Sequence, residues 1–215
     1  MPTLYEVIDQ LGFITRELAI VGLFLSAGLI VVVRDWRISL LALLGQYLLA
    51  GLVLSGMVLA EVALIKVLIG ALICPMLYLA ARQAGWGAGR NGPAGLSQRE
   101  IFPAGPAFRL LAVTLMGLLA MALSQSYPPP VIPPGVGLAS YWLMLIGLLI
   151  LLLTEHPLKA GQGLLTVIIG FELLYTPIER SLAMVWLLAV VNLLLALAIA
   201  YLIVARDISS SEGNP

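Results

Sequence analysis

Apolar residues in this chain do not alternate with polar ones. They run on in seven long stretches separated by short segments rich in charge, proline or glycine. A hydrocarbon core about 30 Å thick is crossed by on the order of 20 helical residues. The stretches at 14–33, 38–54, 58–81, 107–123, 138–153, 157–175 and 182–204 are therefore predicted transmembrane helices. Backbone amides at membrane depth must be satisfied internally, and the two-residue alternation of a barrel strand is absent, so helices are the expected solution. The predicted fold is an all-α integral membrane bundle of about seven helices.

The polar segments between them give organisation and direction. Lys and Arg concentrate on the cytoplasmic side of short membrane loops. With the N-terminus outside, the inner ends hold Arg34, Arg37, Arg82, Arg90, Arg99, Arg109, Lys159 and Arg206, and the outer ends only Arg16 and Arg180. This asymmetry predicts a multi-pass protein of the cytoplasmic (inner) membrane with its C-terminus cytoplasmic. Residues 1–17 carry Glu6, Asp9 and Glu17 against Arg16, the reverse of a secretory signal, and are expected to be retained. The Gly- and Pro-rich stretch after Arg82 reads as a cytoplasmic connection. The stretch from Tyr127 through Pro134 reads as a stiff outer loop. The expected organisation is a three-helix unit over 1–81, a connection with a fourth helix and outer loop over 82–137, a second three-helix unit over 138–206, and a disordered tail over 207–215.

Composition narrows the function. The chain of 215 residues is 61% hydrophobic and 10% charged, far from the roughly 25% charged residues of soluble domains. Lys plus Arg equals Asp plus Glu at 11 each, so charge gives no case for nucleic acid. Cys74 is the sole cysteine and His156 the sole histidine, so no His/Cys metal cluster is on offer. No phosphate-binding loop, dinucleotide fingerprint or Ser-His-Asp set is present, and no catalytic site or cofactor of the chain's own is expected.

A gap-free shift of 126 positions sets Gln46 on Glu172, Ser55 on Ser181 and Lys66 on Asn192. That register predicts a parallel repeat of three helices joined by the fourth, a device common in membrane transport proteins.

The candidate chemistry lies in charges inside apolar runs. An ionisable group at bilayer depth costs about 2.5 to 3.5 kcal/mol on insertion scales, so it is rare without a partner or a task. Glu172, in Gly170-Phe-Glu-Leu-Leu174, and Lys66, in Ile65-Lys-Val-Leu68, are the two clear cases. A carboxyl there can accept and release a proton, and the lysine can relay one or serve as counter-charge. The same two residues would equally suit a structural ion pair between helices. Gln46 and Asn192 sit at similar depth, as helix glue or as groups that hydrate a proton path beside Lys66 and Glu172. Glu61 and His156 lie near helix ends and read as interfacial. Gly45, Gly70, Gly163 and Gly170 are expected at helix contacts, and Pro75 is expected to kink the third helix.

Residues 156–206 resemble subunit K of respiratory complex I through Gly170-Phe-Glu-Leu-Leu174 and a polar position in the next helix. The resemblance implies that Glu172 matches the family's mid-membrane glutamate in a proton-conducting chain of buried charges. Asn192 departs from the family, which usually has an acidic residue there. The whole chain is similar to hydrogenase-4 component E, through Gln46 in Leu44-Gly-Gln-Tyr47, Lys66 and the later Leu79-Ala-Ala-Arg82. Together these resemblances imply a membrane-arm subunit beside antiporter-like subunits, in a complex that couples a redox reaction to proton or sodium movement. A stand-alone secondary transporter, a small subunit of a cation antiporter, and a structural membrane anchor are the alternatives.

Overall fold

The computed structural model describes residues 4–33, 35–58, 60–84, 106–154, 156–179 and 181–212, with side chains described for 16–33, 35–58, 61–84, 107–154, 156–179 and 181–205. Seven helices and no strand occur among them: α1 Leu4–Val32, α2 Trp36–Ser55, α3 Ala60–Gln83, α4 Pro106–Ser126, α5 Pro134–Leu153, α6 Pro157–Tyr175 and α7 Leu182–Glu212. Six of them, α2 to α7, are long and apolar enough over their described residues to cross a membrane. The bundle has an apolar core like that of a water-soluble one, but its outer surface is apolar too and a few polar side chains are buried. Leu110, Leu111, Leu115 and Leu118 of α4 and Leu187, Leu194 and Leu197 of α7 face outward, while Gln46, Gln162 and Asn192 are fully buried. Water penalises an outer surface of that kind and a bilayer accepts it.

Helix boundaries follow local chemistry. Asp35 caps α2, its carboxylate accepting from Arg37 N–H at 2.9 Å. Pro134 and Pro157 open α5 and α6, where a missing N–H costs nothing. α3 continues through Pro75, whose ring lies on the exposed face. α7 continues as helix to Glu212, beyond the 204 expected for the last span and into the segment expected to be a tail. Each added helical residue gains a backbone hydrogen bond, so a helix readily overruns its apolar segment. Of the connection over 82–107, residues 85–105 lie outside the described residues, as do Arg90 and Arg99.

Consecutive helices joined by short links run antiparallel. α1 packs on α2 and α2 on α3, and α5 packs on α6 and α6 on α7. Across these two groups α1 meets α5, α2 meets α6 and α3 meets α7, with α4 at the margin against α5 and α1. One end of the bundle therefore gathers the end of α1 and the starts of α2, α4 and α6. Arg109 donates there to the Val31 carbonyl at 3.1 Å, and Lys159 Nζ donates to the carbonyls of Val33 at 2.6 Å and Ile30 at 3.2 Å. Both cations sit on the free carbonyls of α1, where the helix dipole is negative.

The tightest crossing is α5 on α6. A Cβ placed on Gly147 would fall 2.5 Å from the Gly163 carbonyl oxygen, and one on Gly170 would fall 2.8 Å from that of Ser140. Gly45, by contrast, faces open space, so it is not the packing contact expected from the sequence. Its side of α2 is turned to no neighbour, which the sequence of one helix cannot reveal.

Candidate functional site

Four helices converge on one polar cluster. Lys66 of α3 and Glu172 of α6 form an ion pair between Lys66 Nζ and Glu172 Oε2, and both residues are buried. Asn192 of α7 donates from Nδ2 to the other carboxylate oxygen, Glu172 Oε1, at 2.6 Å. Tyr47 of α2 donates its hydroxyl to Asn192 Oδ1 at 3.4 Å, and its ring lies 5.2 Å from Lys66 Nζ. The carboxylate thus has a charged partner and a neutral donor, and the ammonium faces an aromatic ring as well as its counter-ion. In a low-dielectric interior each of these contacts is stronger than in water.

Local packing explains how the groups meet. Gly70 stands one turn along α3 from Lys66, and a Cβ there would collide with the Tyr47 side chain. The absent side chain lets Tyr47 lie against α3 beside the lysine. Gly163 and Gly170 bring one face of α6 against α5, which turns the face bearing Glu172 towards α2, α3 and α7. A small cavity of about 20 Å³ touches the pair from the side of Thr176, walled by Leu54, Ile65, Leu188 and Ala189. It has room for a single water molecule.

Of the four residues singled out from the sequence, Lys66, Glu172 and Asn192 come together and Gln46 does not. Gln46 accepts at Oε1 from the Thr166 hydroxyl at 3.1 Å, in a separate group closer to the basic end. Lys66 and Glu172 meet directly, and the hydrogen bond of Gln46 is to Thr166 instead. Tyr47 takes the place expected for Gln46. Glu61 is exposed in the first turn of α3, and His156 is half-buried at the N-cap of α6.

Compared with known proteins, the chain matches no family model, no curated protein and no solved structure.

Sequence reasoning missed Tyr47, Ser39, Gln162 and Thr166. Ser39 donates to Gln162 Oε1 at 2.5 Å, and the Thr166 hydroxyl lies 2.8 Å from the Gln162 carbonyl oxygen. The available signal was periodic. Lys159, Gln162, Thr166, Glu172 and Thr176 fall on one helical face of α6. No group of three or more His, Cys, Asp or Glu side chains suited to a metal ion occurs among the described residues.

Proposed function

We propose that this chain is a membrane-arm subunit of a proton- or sodium-translocating redox complex, NADH dehydrogenase-like or hydrogenase-like, and lends its buried charges to an ion path beside antiporter-like subunits. The observation that carries this reading is the Lys66–Glu172 ion pair at the junction of α2, α3, α6 and α7. A carboxylate whose counter-charge sits on another helix switches between paired and protonated states when a proton arrives. Such a switch is the elementary step of a relay through buried charges. The resemblance of 156–206 to subunit K, and of the whole chain to hydrogenase-4 component E, belongs to the same proposal.

The three-helix repeat is part of it too. The shift of 126 places α1 on α5, α2 on α6 and α3 on α7, the same pairs that pack against one another. In this reading the chain sits in the cytoplasmic membrane with its N-terminus outside. Arg37, Arg82, Arg109 and Lys159 share one end of the bundle, which would be cytoplasmic. Arg34 and Arg180 and the side chain of Arg206 lie outside the described residues.

Glu172→Gln and Lys66→Ala in the intact complex test the proposal. Ion translocation per assembled complex is expected to fall, whatever the yield of complex. Normal translocation in both variants would remove the mechanism.

One observation favours a second reading, a structural lock. The pair is direct and is braced by Asn192, as a static link between helices would be. On that reading the two variants lower the yield of complex and leave the specific activity of what assembles unchanged.

A further inference from the structure

The polar face of α6 does not stop at Glu172. Lys159, Gln162, Thr166, Glu172 and Thr176 are all buried and lie along one side of the helix. At 1.5 Å per residue they span about 26 Å, close to the thickness of a hydrocarbon core. Towards the basic end, the face of α2 set against them supplies Ser39 and Gln46, both fully buried. Ser39 donates to Gln162 Oε1 at 2.5 Å, and the Thr166 hydroxyl has two acceptors within reach, the Gln162 backbone carbonyl at 2.8 Å and Gln46 Oε1 at 3.1 Å, between which its one proton alternates. Two amide nitrogens in this seam, Gln46 Nε2 and Gln162 Nε2, are buried and have no hydrogen-bond partner in the protein.

An amide N–H₂ group shielded from water and left unbonded costs about 1 to 3 kcal/mol on protein scales. A seam whose task was only to hold two helices together would be cheaper in leucine. Small polar groups with spare donors, aligned from one end of the bundle towards a buried carboxylate, are what a file of exchangeable hydrogen bonds requires. Between Arg109 or Lys159 and Glu172, no carboxylate faces the seam among the described residues. A metal cation would find no counter-charge along it, whereas a proton needs only donors and acceptors.

We propose that the α2–α6 interface is a proton-access route from the basic end of the bundle to Glu172, with Ser39, Gln162, Thr166 and Gln46 as its hydrogen-bonding steps. The inference rests on the ion-path reading of Glu172 and adds the side from which the proton comes. A proton delivered to the carboxylate neutralises it and releases Lys66; its departure restores the pair. Thr166 and Glu172 are about 9 Å apart along α6, and the fully buried Ile169 lies between them. Passage is controlled in this interval. Beyond the pair, Thr176 and the 20 Å³ cavity continue towards the opposite end.

The test uses membrane vesicles that hold the chain in its native assembly, with a trapped pH dye. Thr166→Val and Gln162→Leu are expected to slow proton translocation per assembled complex about tenfold, the equivalent of one hydrogen bond of roughly 1.4 kcal/mol. Thr166→Ser, which keeps the hydroxyl, is expected to restore it. In a Cys74→Ala background, Thr166→Cys is expected to react with silver ion added from the aqueous phase. This second readout does not depend on turnover. Wild-type rates in Thr166→Val and Gln162→Leu, alongside loss in Glu172→Gln, would overturn the route and leave the ion-path reading standing. Full activity in Glu172→Gln as well would overturn both. A Thr166→Ser variant as impaired as Thr166→Val, or a Thr166→Cys thiol inert to silver, also rejects the route.

Discussion

Asn192 holds one oxygen of the Glu172 carboxylate at 2.6 Å while Lys66 pairs with the other, so the charge on α6 is gripped from α7 and α3 together. Neither grip comes from a sequence neighbour of Glu172. The site exists only when both halves of the chain are in place.

Removing one charge is therefore expected to cost more than removing two. Lys66→Met leaves a carboxylate buried without its partner, and breaking such pairs typically costs about 3 to 5 kcal/mol. Lys66→Met combined with Glu172→Gln leaves no charge to strand and is expected to be far closer to the parent. A double-mutant cycle read by denaturant unfolding in mixed micelles measures the difference. Additive losses would show that the two side chains do not interact.

Asn192→Leu removes the 2.6 Å donor and Tyr47→Phe only the 3.4 Å one. Polar contacts between membrane helices are typically worth about 0.6 kcal/mol and reach about 1.7. Asn192→Leu is expected near the upper figure, since its acceptor is charged, and Tyr47→Phe near or below the lower. Equal losses in the same assay contradict that ranking.

Glycines in this bundle are expected to divide by what faces them. Gly147→Ala drives a methyl into the Gly163 carbonyl and the Val167 backbone, neither of which can swing aside, and should cost about 1 to 3 kcal/mol. Gly45→Ala meets nothing within 4 Å and should gain up to about 1 kcal/mol through helix propensity. Thermal unfolding of the two variants side by side checks both signs.

Val131, in the proline-rich loop between α4 and α5, has a φ of 69° and is exposed. A β-branched residue in the left-handed region is strained by about 1 to 2 kcal/mol. Val131→Asn relieves that strain without adding glycine's unfolded-state freedom and is expected to raise the unfolding midpoint. An unchanged or lower midpoint counts against it.

The parts of this fold legible in the sequence are those that lipid makes costly. Glu172 and Lys66 stand out because a lone charge in an apolar run is expensive wherever it points. The helices stand out because their apolar runs are long enough to cross a membrane, and in such a setting backbone amides must be satisfied within the helix. What one strand of text cannot supply is the facing of one helix to another. Gln46 and Tyr47 are adjacent, yet they point to different neighbours, and it is the tyrosine that reaches the ion pair. Ser39 and Thr166 escaped notice because hydroxyls cost little in a helix. Only the α2–α6 contact brings them into one buried polar seam.

The placement of the ion pair also bears on how the chain is made. Lys66 leaves the ribosome more than a hundred residues ahead of Glu172, so the third helix is made with its ammonium unmatched. Until α6 is in place, the N-terminal half therefore holds an ammonium among apolar side chains without the counter-charge that Glu172 supplies.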